Sequence, residues 1–193
     1  MMAWHVTGAR VLAQINAPVL TAGRGVGIVC MGMMVVFILV QVFWRYVLSN
    51  PLAWPEEAAR FLMLWLMVVA PTGLRRGGFV AIDMIQLVLP RIAGGVLTLC
   101  LLLLALIVLI VGVKIGWSEV TGFSGKFKTS SLYYPTGEGW EKMPRSWMMA
   151  SLLVGLIMMV SVTLELVLRQ IAVLVGAGED LPIIPEASTV GAE

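Results

Sequence analysis

Three stretches of this chain each hold about twenty nearly unbroken apolar residues, and this decides the solvent in which it can fold. They are Gly25–Trp44, Ile92–Val113 and Ser146–Leu164. A helix rises about 1.5 Å per residue, so roughly 20 residues cross a hydrocarbon core about 30 Å thick. Each run therefore predicts a membrane-spanning helix. Arg24 and Arg45, Arg91 and Lys114, and Arg145 with Arg169 flank the three runs, where long cationic side chains can reach the headgroups. A fourth run, Phe61–Leu74, spans only about 21 Å as a helix and needs its upstream neighbours to cross. Those neighbours suit the task. Pro55 fits a first helical position, Glu56 and Glu57 meet the positive end of the helix dipole, and Glu56 with Arg60 are spaced i,i+4 to pair. Pro71 predicts a kink near the far end, because it removes a backbone hydrogen bond.

The expected fold is an all-α integral membrane protein with four transmembrane helices. Three sequence regions follow: an N-terminal interfacial segment over 1–24, the four-helix domain over 25–170, and a tail over 171–193 whose acidic, proline-containing end is expected to lack fixed structure. Between the second and third spans, Ile82, Ile85 and Leu89 recur at helical spacing while Asp83 and Gln86 point elsewhere. That pattern predicts a short amphipathic helix on the membrane surface. Val11, Ile15 and Val19 suggest a similar surface helix near the N-terminus, interrupted by Pro18. The first apolar run is longer than a signal-peptide core and lacks a small-residue cleavage site, so it is expected to be retained. Residues 122–145 form the longest polar connection. Arg75, Arg76 and Arg91 in a short loop place that loop, and both termini, on the cytoplasmic side.

Composition excludes several functions. With 60% hydrophobic and 12% charged residues and a formal charge of +2, the chain has no polybasic run for nucleic acid. Its one histidine, His5, precedes the first span, so bis-histidine haem and histidine-rich metal sites are not expected. Cys30 and Cys100 lie singly in apolar runs and read as core residues. The methionines, Met31, Met33, Met148 and Met149 among them, read as adaptable packing rather than a copper path. No catalytic, cofactor or metal site is expected, so an enzyme or redox protein is disfavoured. Glu165 is the deepest acid: it is either a proton or cation relay, or an interfacial residue paired with Arg169 at i,i+4. Gln41 is either a substrate contact or an interhelical hydrogen bond.

A bare bundle leaves one cluster unexplained: Arg45, Tyr46, Trp54, Glu56, Glu57, Arg60, Arg75, Arg76 and Asp83 around the second span. Charges beside a short apolar helix are less costly against another protein than against lipid. The cluster therefore reads as a partner interface.

The segment RYVLSNPLAWPEEAARFLMLWLMVVAPTGLRRGGFVAIDMI resembles the small, Q-type permease subunit of tripartite ATP-independent periplasmic (TRAP) transporters. The resemblance rests on Arg45-Tyr46 closing the first span, Trp54 followed three residues later by Glu57, the Phe61–Leu74 helix, the Arg75-Arg76-Gly77-Gly78 turn, and Asp83. It covers about residues 25–170. Phe79 stands where relatives commonly carry a histidine, and the connection 123–144 looks long for the family. The resemblance implies a non-enzymatic subunit in the bacterial inner membrane. Its partners would be a large permease subunit, a soluble periplasmic substrate-binding protein and membrane lipid. The large subunit would carry an organic acid inward with sodium, and the small one would enlarge its stationary scaffold. Lys126, Lys128, Tyr133 and Tyr134 become candidates for docking the binding protein, with a simple solvated loop as the other reading. The competing function is a self-sufficient oligomeric transporter that uses Glu165.

Overall fold

A computed structural model describes residues 3–76, 90–136 and 139–176. The expected surface helix over 80–89, with Asp83, and the end of the tail lie outside the described residues. Helix α1 runs Ala3–Tyr46, α2 Trp54–Trp65 and α3 Ala70–Arg75, the last two joined by a 3-10 turn at Leu66–Val69; α4 runs Arg91–Thr121 and α5 Ser146–Leu174. Between α4 and α5 a short 3-10 turn at Ser124–Lys126 leads into an antiparallel hairpin of β1, Lys128–Thr136, and β2, Gly139–Pro144. Four helical stretches among the described residues are long and apolar enough to cross a membrane: Thr7–Tyr46, Trp54–Arg75, Ile92–Thr121 and Ser146–Leu174. The all-α membrane architecture is as expected, with the hairpin added to it.

Two expectations change. The N-terminal stretch is no separate surface helix, since α1 passes through Pro18 without a break. Its stripe of Val11, Ile15 and Val19 is exposed, and the opposite stripe of Ala9, Ala13, Asn16, Leu20, Gly23, Gly27 and Cys30 is buried. Small residues let helix backbones approach closely, which bulky aliphatic side chains would prevent. The small stripe therefore turns inward. At Pro71 the expected kink takes the form of a tightening: the missing N–H and the ring's clash with the Met67 carbonyl coincide with the 3-10 turn over Leu66–Val69.

The chain divides into two compact units. One comprises 1–22, 70–111 and 157–193, and its buried residues include Ala9, Ala13 and Leu20 of α1, Thr72 of α3, and Val162, Val167 and Ala172 of α5. There Gln170 donates to the Gly95 carbonyl at 3.0 Å, and a methyl on Gly95 would meet Leu174 at 2.7 Å. The other comprises 23–69 and 112–156, with Cys30, Ala58, Leu62, Val68 and Leu153 in its core. In this unit α5 crosses the 3-10 turn at Gly155. A methyl there would lie 2.9 Å from Met67 Cγ and 3.2 Å from the Met67 carbonyl oxygen. That oxygen is the one Pro71 leaves without its helical donor, so glycine lets α5 close over an already loosened turn.

Candidate functional site

Of the nine residues singled out from sequence, eight are described, and they separate into two groups in the two units. The first group surrounds the start of α2. Pro55 opens the helix, and Glu56 and Glu57 occupy its first turn, where the unpaired N–H groups favour negative charge. Glu56 forms an ion pair with Arg60 one turn on, as the i,i+4 spacing predicts. Gln41 of α1 reaches the other carboxylate oxygen at 3.5 Å. Trp54 meets Phe37 of α1 edge to face, with ring centroids 5.6 Å apart. Arg45 lies over the ring of its neighbour Tyr46 at 5.8 Å, and both remain exposed.

Glu57 serves a different element. Its Oε2 accepts the backbone N–H of Ser131 at 2.6 Å and also the Ser131 hydroxyl. One carboxylate thus pins β1 to the first turn of α2. Ala53, Glu56, Glu57, Arg60 and Ser131 line a recess of about 300 Å³ at this junction. The Trp54-x-x-Glu57 spacing therefore places an aromatic contact to α1 and a carboxylate anchor for the hairpin on one helical turn.

The second group centres on Glu165, which is fully buried. Its Oε1 accepts from Arg75 Nη2 at 2.9 Å, Arg75 Nε at 3.2 Å and Arg169 Nε at 3.1 Å. Its Oε2 accepts from Asn16 Nδ2 at 2.8 Å. Asn16 in turn accepts the Ser161 hydroxyl at 2.8 Å, and Arg75 also donates to the Ala13 carbonyl at 3.3 Å. The arginine side chains are only 15% and 13% exposed. Arg75 sits at the C-terminal end of α3, where the helix dipole favours a cation. Arg76 follows it, half-buried. The pairing of Glu165 with Arg169 agrees with the spacing, but the acid is enclosed by protein and joined to α1 and α3 as well. Asn16, Ser131 and Ser161 escaped the sequence reading. For Asn16 a signal existed: it falls in register with the small stripe of α1.

Of the four hairpin candidates, Tyr134 stacks on Trp147 of α5, with centroids 5.9 Å apart, and Lys128 pairs with Glu141 at 3.8 Å. Tyr133 lies under Lys142, 6.0 Å from Nζ to ring centroid. Lys126 is exposed. Among the described residues no group of three or more histidines, cysteines or acids is placed to hold a metal ion.

Residues 34–173 match the family model of the DctQ component of tripartite ATP-independent periplasmic transporters. A search of curated proteins finds no match. Because the family match extends over well more than half of the chain, the protein belongs to this family of small TRAP transporter components. It is a family of transporter subunits rather than enzymes, and membership implies companion subunits of a bacterial membrane transporter.

Proposed function

Proceeding from membership of the DctQ family, we propose that this chain is the stationary scaffold of its transporter. It braces a large permease subunit in the bacterial inner membrane, with both of its own termini cytoplasmic. The large subunit moves an organic acid inward with sodium, after a soluble binding protein has delivered it. The observation that carries this reading is the state of Glu165. Both of its oxygens are engaged, by two guanidinium groups and an amide. A relay must release and rebind its ion, and a carboxylate whose two oxygens are both held by side-chain donors offers neither of them for that exchange. Coupling sites then fall to the partner's own broken helices. The cluster Arg45, Tyr46, Trp54, Glu56, Glu57 and Arg60, together with Arg76, contributes the polar part of the contact with companion subunits.

The test is reconstitution. The purified chain alone in proteoliposomes is expected to give no uptake of organic acid under an inward sodium gradient, and to give uptake once the large subunit and the binding protein are supplied. Uptake by the chain alone, abolished by Glu165→Gln, would establish the self-sufficient transporter instead.

A further inference from the structure

The hairpin has two unlike faces. Directly opposed residues of an antiparallel pair share a face, and successive residues alternate. The register pairs Tyr133 with Lys142 and Tyr134 with Glu141, so Tyr133 and Lys142 occupy one face and Tyr134 and Glu141 the other. Trp140, two residues before Lys142, returns to the first. The second face is engaged within the chain, through the Tyr134 stack on the first turn of α5 and the Glu141 pair with Lys128. Since Tyr134 points at the start of α5, Tyr133 and Trp140 point away from that membrane-crossing helix. They are 51% and 73% exposed.

This outward face is held in shape without a partner. Ser131 ties β1 to Glu57. Where the register slips between Lys128 and Tyr133, the Thr129 hydroxyl lies 2.9 Å from the Met143 carbonyl of β2 and 3.0 Å from the Leu132 carbonyl. A surface ordered beforehand loses less entropy on binding. Tryptophan and tyrosine are among the residue types that dominate protein–protein hot spots. The charge on this face is also one-sided: it carries Lys142, while Glu141 lies on the other face, paired with Lys128, so the complementary surface is acidic.

We infer that the Tyr133–Trp140–Lys142 face of the hairpin is the docking surface for the soluble substrate-binding component, which meets it with an acidic patch around an apolar centre. This rests on the subunit reading above. It also reassigns the residues read from sequence, since Tyr134 and Lys128 serve the hairpin itself.

The test uses the complete transporter in nanodiscs and in proteoliposomes, with wild type, Trp140→Ala, Lys142→Glu and, as a control, Lys114→Ala on α4. Binding of the soluble component to the nanodisc complex is expected to weaken at least about tenfold for Trp140→Ala, the scale of a hot-spot truncation. Lys142→Glu is expected to weaken it and to flatten its dependence on salt. In proteoliposomes both variants should raise the half-saturating concentration of the soluble component and leave the maximal uptake rate unchanged. Unaltered binding in both, in assembled complexes of normal size on gel filtration, overturns the inference while leaving the subunit reading in place. Wild-type uptake that ignores the soluble component overturns the subunit reading itself. As an independent measurement, a fluorophore on Trp140→Cys, in a Cys30→Ser/Cys100→Ser background, should be shielded from an aqueous quencher when the soluble component is added. Quenching instead by spin-labelled lipid, before any is added, would assign this face to the membrane surface and overturn the inference.

Discussion

Glu56 and Glu165 each face an arginine four residues further along a helix, yet the two pairs belong to different physical regimes. Glu56 and Arg60 keep 54% and 73% of their side-chain surface open, and their attraction competes with solvent and salt. Glu165 is closed off completely and shares its charge with a second arginine from α3 and an amide from α1. Taking such charges out of water is expensive, and the arrangement holds only while every partner remains. Identical spacing therefore yields a surface ornament in one unit and a three-helix clamp in the other. Sequence separation explains the difference, because the extra partners of Glu165 lie 90 and 149 residues away.

The contrast can be broken or sharpened by substitution. The largest effect is expected for Glu165→Ala, which leaves Arg75 and Arg169 facing each other and should destabilise the chain by about 3–5 kcal/mol, the range for a severed buried pair. Denaturation of the detergent-solubilised protein reads this. A change below about 1 kcal/mol, the ceiling for solvent-exposed pairs, would erase the distinction between the two regions. Glu57→Ala follows. It removes an ionised acceptor from two Ser131 donors, and hydrogen bonds to charged groups contribute about 1.5–3 kcal/mol, less here because the site is only partly buried. The expected readout is faster amide exchange at Ser131 and earlier proteolytic cutting in 128–144, with the helices unaffected. Thr72→Val, one turn before Arg75, should be neutral or stabilising by up to about 1 kcal/mol, since the Thr72 hydroxyl is buried with no hydrogen-bond partner among the described residues and an apolar group of the same shape removes that penalty. Arg60→Ala should be the mildest, under about 0.5 kcal/mol, and its effect should vanish in high salt. A larger loss would mean that Arg60 reaches a group beyond Glu56.

Much of this was legible in the chain before any coordinates. Run length and flanking arginines located all four spanning helices, because hydrocarbon thickness leaves few alternatives. The short-range pairs Glu56–Arg60 and Glu165–Arg169 followed from helical geometry. What escaped was everything set by tertiary placement. Arg75 was grouped with the α2 cluster for its nearness in sequence, while its partner stands on α5. The start of α1 reads as a separate surface helix because Val11, Ile15 and Val19 recur at helical spacing and Pro18 suggests an interruption, whereas the helix continues through it. Its small and polar positions, Ala13 and Asn16 among them, are the ones that let the helix approach its neighbours. The hairpin was hidden for another reason: Lys128–Thr136 contains a register slip and a proline, which obscure the alternation that betrays a strand.

One dimension of α1 carries a last implication. Its 44 residues measure about 66 Å from end to end at ordinary helical rise, more than twice the thickness of the oil layer. If Gly25–Trp44 fills that layer, Asn16 stands about 13 Å below its lower boundary, level with or beneath the phosphates. The Glu165 clamp would then be a keel joint set beyond the oil, with its carboxylate shielded by protein rather than by lipid. It would fasten the first third of α1, ahead of the long apolar run.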